Sequence, residues 1–227
     1  MGFFSTLLDL FFPPKCAFCH KVLDSGKSGV CARCKNSVAR AEPQAVSDRG
    51  EVFTVCVSPL LYADTVKDSI RRFKFKGQTG YAKIYGKFIA ESIADNLAGR
   101  YDLITWVPLS RKRLKSRGYD QAMLLCMAAA LELNDVAVAA LEKYRDVPAQ
   151  SGVGDAAHRR ANISGVYRVP DPELVADKRV LLVDDILTTG STLDECARML
   201  LDAGALEVLC ATLARTRDRE ETAGDDF

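Results

Sequence analysis

The chain has 227 residues, 48% hydrophobic and 27% charged, a composition ordinary for a soluble globular protein and sufficient for one α/β domain with an appendage. A formal net charge of +1 selects no charged partner by itself. No internal repeat or low-complexity run is visible, and the apolar run at the N-terminus is too short to span a bilayer, which argues against stable membrane insertion.

The first residues, MGFFSTLLDLFFPPKC, lack a basic n-region and a small-residue cleavage site, so a cytoplasmic location is expected. Phe3, Phe4, Leu7, Leu8 and Phe11 form a helical stripe that reads as docking on the neighbouring domain. Cys16, Cys19, Cys31 and Cys34 follow as two C-x-x-C pairs separated by eleven residues. Four thiolates on two tight knuckles can close a tetrahedral zinc site and stabilise a segment too small to build its own core. Disulfides are disfavoured in a chain without export signals. His20 adjoins a ligand, but four thiolates complete the shell, so it reads as a surface residue. Cys56, Cys126, Cys196 and Cys210 sit in apolar segments and read as small core hydrophobes.

Beyond a zinc module at 1–45, strands and helices alternate through 46–215. Strands are expected at 51–61, 101–107, 180–183 and 208–213, with weaker ones near 136–141 and 166–169. Helices are expected at 64–75, 81–97, 120–133 and from Leu193 onward, and 216–227 is a polar tail that frays. This alternation predicts an α/β fold with a doubly wound parallel sheet, binding ligands at the carboxyl ends of its strands.

The stretch VLLVDDILTTGSTLDE at 180–195 carries the most chemistry. Its apolar run reads as a buried strand ending at the aspartates. Thr192 and Glu195 have capping-box spacing, and Gly204 supplies a stop for the helix that follows. Between them, the N–H groups of Thr188, Thr189, Gly190, Ser191 and Thr192 are placed to converge on an anion at a helix start. Asp184 and Asp185 would repel that anion unless they accept hydrogen bonds from it, as they could from a ribose diol. A sugar bearing both a vicinal diol and a 5′-phosphate satisfies both halves. No G-x-x-x-x-G-K-[ST] partner supports a Walker B reading, and too few residues follow for a response-regulator receiver. The pattern resembles the phosphoribosyl-pyrophosphate (PRPP) signature of type I phosphoribosyltransferases.

A second stretch, WVPLSRKRLKSRGYDQA, places Arg111, Lys112, Arg113, Lys115 and Arg117 in a loop after the 101–107 strand. Two readings stand: a pyrophosphate-binding loop at the cleft, or a solvated basic loop. The four-cysteine module, V-P-L-x-x-x-R running into R-G-Y-D-Q-A, a Q-to-R-x-x-N segment from Gln150 to Asn162, and the PRPP loop together resemble the ComF family over nearly the whole chain. Tyr119 and Asp120 stand where that family usually has Phe and Asn, and Val147 where it has Thr. Gly152, Gly154 and Ala157 spell G-x-G-x-x-A, but no apolar strand precedes them, which rules against a dinucleotide site.

The resemblance implies that Leu109, Ser110 and Arg111 offer backbone to the pyrophosphate, with Arg113 and Arg117 nearby. It also implies that 144–165 is a mobile loop whose Arg159 brings further charge. It implies PRPP as ligand, Mg²⁺ with it, and transfer of the phosphoribosyl group to a nitrogen acceptor with release of pyrophosphate. It also brings an association with DNA uptake in competence. An alternative is a non-catalytic, PRPP-responsive single-stranded DNA-binding protein. IRRFKFKG, with Arg71, Arg72, Lys74 and Lys76 around Phe73 and Phe75, then reads as a cation-and-aromatic strand platform, or more plainly as a basic helix end. Homo-oligomer formation stays open.

Overall fold

The computed structural model describes residues 13–24, 29–38, 40–41, 47–48, 50–144 and 165–216. The N-terminal stripe at 3–11, the 145–164 segment with Arg159, and the tail from 217 lie outside the described residues.

Two nine-residue strands form the centre, β7 (Arg179–Leu187) and β8 (Glu207–Arg215), parallel and in register from Arg179↔Glu207 to Leu187↔Arg215. Both are apolar on both faces, as a strand covered on two sides must be. β4 (Leu103–Trp106) extends the sheet beyond β7, and β2 (Val55–Val57) extends it beyond β8, both parallel. β3 (Leu60–Leu61) also pairs with β8, while β1 (Ser47–Asp48) closes the edge antiparallel to β2. The single strand expected at 51–61 is thus two short ones. Pro59 cannot donate to a ladder, and at the break Ser58 Oγ turns instead to Thr212 Oγ1 at 2.7 Å.

Helices cover both faces. On one face lie α2 (Asp64–Phe75), α3 (Ala82–Leu97) and α5 (Gln121–Glu132), packed against Leu181, Val183, Leu209 and Ala211. α2 buries Val66, Ser69, Ile70 and Phe73, an i, i+3, i+4, i+7 stripe. α3 and α5 approach closely because Gly86 has no side chain: a Cβ there would lie 2.4 Å from that of Ala128. On the other face α6 (Ser191–Asp202) sets Leu193, Cys196, Ala197 and Leu200 against Val180, Leu182 and Cys210. Cys56, Cys126, Cys196 and Cys210 are all buried, as small core hydrophobes.

The weaker strands take other roles. The 136–141 stretch contributes one parallel bridge, Ala137 to Ile104. The 166–169 stretch leaves the main sheet, and β6 (Tyr167–Arg168) pairs antiparallel with β5 (Glu142–Lys143) as a separate ribbon.

The cysteine module, with its short helix α1 (Ala32–Ser37), docks into the main core. Phe18, between the first two cysteines, is fully buried, with ring centroids 5.9 Å from Tyr85 and 5.7 Å from Phe88. Ser69 Oγ donates to the Ala17 carbonyl at 2.6 Å, and the Arg72 guanidinium donates to that of Phe18. His20 is half-buried rather than a surface residue, its Nδ1 2.7 Å from the Tyr81 hydroxyl. No helix among the described residues is long and apolar enough to cross a membrane.

Candidate functional site

β7 does not stop at its aspartates. Asp184 pairs across from Thr212, Ile186 from Ala214 and Leu187 from Arg215, so the strand runs four residues past the expected end at Val183. Polar side chains do not end a strand whose backbone still finds a ladder. The two-residue period of the strand then sends adjacent carboxylates to opposite faces. Asp185 falls on the α2 face, where its Oδ1 accepts from Lys74 Nζ at 2.8 Å. Its Oδ2 is buried and has no hydrogen-bond partner among the described residues. Asp184 falls on the α6 face, and its Oδ1 accepts the Asp185 N–H at 2.7 Å. Burial first, and the charge of Asp185 second, push the Asp184 carboxyl well above the ordinary carboxylate range.

Both aspartates line an open cleft of about 1000 Å³ at the carboxyl edge of the sheet. After β7 the chain turns through Thr188 and Thr189, both exposed, and Gly190, whose φ of 76° lies in the left-handed region that glycine adopts without strain. Gly190 is the N-cap of α6. The N–H groups of residues 188–192 have no backbone acceptor among the described residues, Thr189 Oγ1 lies 3.0 Å from Ser191 Oγ, and Thr192 lines the cleft. The expected capping box does not form, since the helix starts before Thr192. Glu195 instead accepts the Gly165 N–H at 2.6 Å, and Asp194 accepts that of Val52 at 2.8 Å. Both acids tie neighbouring segments to α6.

The basic segment is a helix, not a loop. Ser110 Oγ accepts from the Arg113 N–H at 3.4 Å, α4 (Arg111–Arg117) follows, and Gly118 ends it at φ 84°. Helical geometry divides the cations: Lys112, Arg113 and Arg117 line the cleft with Ser116, whereas Arg111 points to Glu142 at 3.2 Å. Arg117 bonds Gln121 and sits 5.0 Å over the Phe75 ring. Leu109 lines the cleft, and its N–H donates to Asp120 Oδ2 at 2.8 Å. Asp120 also caps α5 through the Met123 N–H at 3.1 Å; burial raises its carboxyl above the usual range despite these donors. Asp120 therefore shapes the loop before α4 from behind.

Sequence reasoning missed Lys74, Lys143 and Tyr167 as cleft residues. Lys74 was legible only as one cation of IRRFKFKG. Within that stretch Phe73 is buried, Arg72 holds the cysteine knuckle and Lys74 holds Asp185, whereas Phe75 is exposed. Lys143, with its ammonium 3.0 Å from the Tyr167 hydroxyl, reaches the cleft through a ribbon that no local pattern announced.

The four cysteine sulfurs, about 20 residues of chain apart at most, lie within 4.8 Å of one another. A thiolate tetrahedron around zinc has edges of about 3.8 Å, and Cys19 Sγ and Cys31 Sγ are 3.7 Å apart. The Cys31 N–H approaches Cys16 Sγ and the Cys34 N–H approaches Cys31 Sγ, each at 3.4 Å. The donor set fits a closed structural zinc site.

Residues 121–226 match the phosphoribosyl transferase domain family, and residues 7–47 match the double zinc ribbon domain. Competence protein ComFC of Streptococcus pneumoniae is 30% identical over 154 residues, covering 68% of this chain, which spans 65% of that relative's length. Competence protein F of Haemophilus influenzae is 26% identical over 231 residues, 90% of this chain and 98% of the relative. A glutamine PRPP amidotransferase from B. subtilis, solved with ADP and GMP, overlays at TM-score 0.39 and 26% identity, covering 57% of this chain and 25% of that one. The fold and the cysteine cluster thus define a type I phosphoribosyltransferase-like protein with an N-terminal zinc-ribbon module. Within that class, the chain belongs to the ComF competence family.

Proposed function

We propose that the cleft binds PRPP. Asp184 and Asp185 read the ribose hydroxyls, the 188–192 loop takes the 5′-phosphate, and Arg113 and Arg117, with Lys112, face the pyrophosphate. The observation that carries this reading is the juxtaposition at one sheet edge of an acidic pair, a helix start with unclaimed N–H groups, and a cationic helix across the cleft. Those three features match a diol, a phosphate and a diphosphate on one sugar. Ser110 and Arg111 support α4 and its contact with Glu142, and Arg159, outside the described residues, is assigned to the pyrophosphate on the family resemblance alone. Zn²⁺ is assigned to Cys16, Cys19, Cys31 and Cys34 as a structural ion. Mg²⁺ would arrive as counter-ion of the diphosphate, which itself supplies hard oxygen ligands. We place the boundary between zinc module and transferase-like domain near residue 45, and the end of the latter near 215.

The reaction this ligand permits is attack by a nitrogen nucleophile at the anomeric carbon. A C–N bond forms, the C–O bond to pyrophosphate breaks, and the departing charge falls to the α4 cations. Calorimetry with PRPP and Mg²⁺, followed by assay of pyrophosphate release against amines and nucleobases, tests binding and turnover separately. Asp185→Asn should weaken PRPP by roughly tenfold to a hundredfold, the value of a charged hydrogen bond, while sparing inorganic phosphate. Equal loss of both ligands would mean that the carboxylate only shapes the loop.

A second reading, single-stranded nucleic acid, draws support from a groove of about 620 Å³ between α1 and α3. Lys35, Arg40, Lys83 and Lys87 line it, and the Arg40 guanidinium lies 5.3 Å over the Phe88 ring. Cations beside an aromatic suit a strand backbone and its bases. Affinity for single-stranded DNA that falls steeply with salt supports this reading, and affinity insensitive to salt removes it.

A further inference from the structure

We propose that Lys74 is a positioning residue of the sugar subsite: it holds Asp185 by one oxygen and leaves the other, Oδ2, as the acceptor for a sugar hydroxyl. This rests on the PRPP reading above and extends it to a residue outside the matched transferase segment of 121–226.

The geometry is asymmetric in a useful way. Lys74 Nζ lies 2.8 Å from Asp185 Oδ1, while Oδ2 is buried with no hydrogen-bond partner among the described residues. A buried acceptor left without a donor is costly, and structures retain one where a ligand completes it. Lys74 also fixes which of the two carboxylate oxygens stays open to a ligand.

The ammonium is held in place by its helix. Phe73, immediately before it, is fully buried, with ring centroids 5.4 Å from Tyr85 and 6.2 Å from Tyr119, and its carbonyl accepts the Tyr119 hydroxyl. Arg72, just before Phe73, and Ser69, one turn earlier, bind the carbonyls of Phe18 and Ala17, inside the knuckle between Cys16 and Cys19. The zinc module thereby fixes the C-terminal turn of α2, and that turn fixes Asp185. Asp185 then differs from a solvated carboxylate in direction.

The test is calorimetry on the full chain with four probes: PRPP with Mg²⁺, ribose 5-phosphate, pyrophosphate and inorganic phosphate. Lys74→Met should weaken both sugar ligands by roughly tenfold or more and leave the two sugar-free anions unchanged. Lys74→Arg, which keeps the charge, should recover part of the loss. Because Lys74→Met leaves Asp185 unpaired and risks unfolding, Lys74→Met with Asp185→Asn serves as the second variant. It should melt like the wild type and still fail to bind the sugars. Equal loss of pyrophosphate, or full sugar affinity in Lys74→Met, overturns the proposal while the PRPP reading stands; full sugar affinity in the double variant overturns the roles of both Lys74 and Asp185. A wild-type chain that binds no PRPP overturns both.

Discussion

At the scale of single residues, the two aspartates are chemically different although adjacent. Asp185 has an ammonium beside it; Asp184 accepts the Asp185 N–H, and burial first and the Asp185 charge second raise its carboxyl. An acid whose folded pKa is raised contributes stability that is fully present below its unfolded pKa, about 4, and lost as pH rises through the folded value. Asp184→Asn mimics the protonated form. It should therefore melt like the wild type in acid and several degrees higher above neutral pH, each kcal/mol being worth ~2–4 °C for a chain of this size. Asp120 tilts the curve the same way, so the difference between variant and wild type, not the curve itself, isolates Asp184. Thermal melts across pH 4 to about 9 check this, and a variant less stable than wild type at high pH would refute the burial argument.

At the scale of elements, legibility followed the length of the pattern. α2 spans Asp64–Phe75 as its apolar stripe dictates, and α5 begins one residue after the expected start at Asp120. Long-range competition is what the sequence hid. Whether DD ends a strand depends on whether β8 continues beside it, and whether RKRLKSR is loop or helix depends on Ser110 capping it. The ribbon of β5 and β6 joins residues 24 or more apart, so neither half carries a local signal. The acidic pair, the hydroxyl loop and the cysteines were legible because their chemistry needs those residue types at fixed spacing. Lys74 was not, because its partner lies 111 residues away. The zinc module shows the energetic side of such long-range ties. Cys34→Ser should drop zinc content from one ion per chain to well under one, measured by elemental analysis on protein purified without chelator. It should also lower the melting temperature, since structural zinc contributes folding free energy directly. Since Phe18 and its knuckle hold α2, the same variant should weaken PRPP, and zinc loss with melting and affinity unchanged would detach the module from the cleft.

At the scale of the whole molecule, a net charge of +1 conceals a sharp separation. One wall of the cleft is acidic at Asp184 and Asp185, and the facing one is cationic at Lys112, Arg113 and Arg117. A ligand with donors at one end and four or so negative charges at the other fits this polarity; a uniformly anionic strand would meet the acidic wall. Arg113 is the cleaner probe, since Arg117 also packs on Phe75 and bonds Gln121. Arg113→Ala should weaken PRPP by roughly tenfold and leave ribose 5-phosphate nearly unchanged, because only the former carries the diphosphate. If α4 served nucleic acid instead, PRPP affinity would survive and the salt slope of DNA binding would fall by about one per cation removed. The groove beside α1 supplies the control: Lys83→Ala should change the DNA slope if strands bind there, and should not touch PRPP, because Lys83 lines the other cavity. Loss of PRPP affinity in both variants would mean that general charge, not the cleft, attracts the ligand.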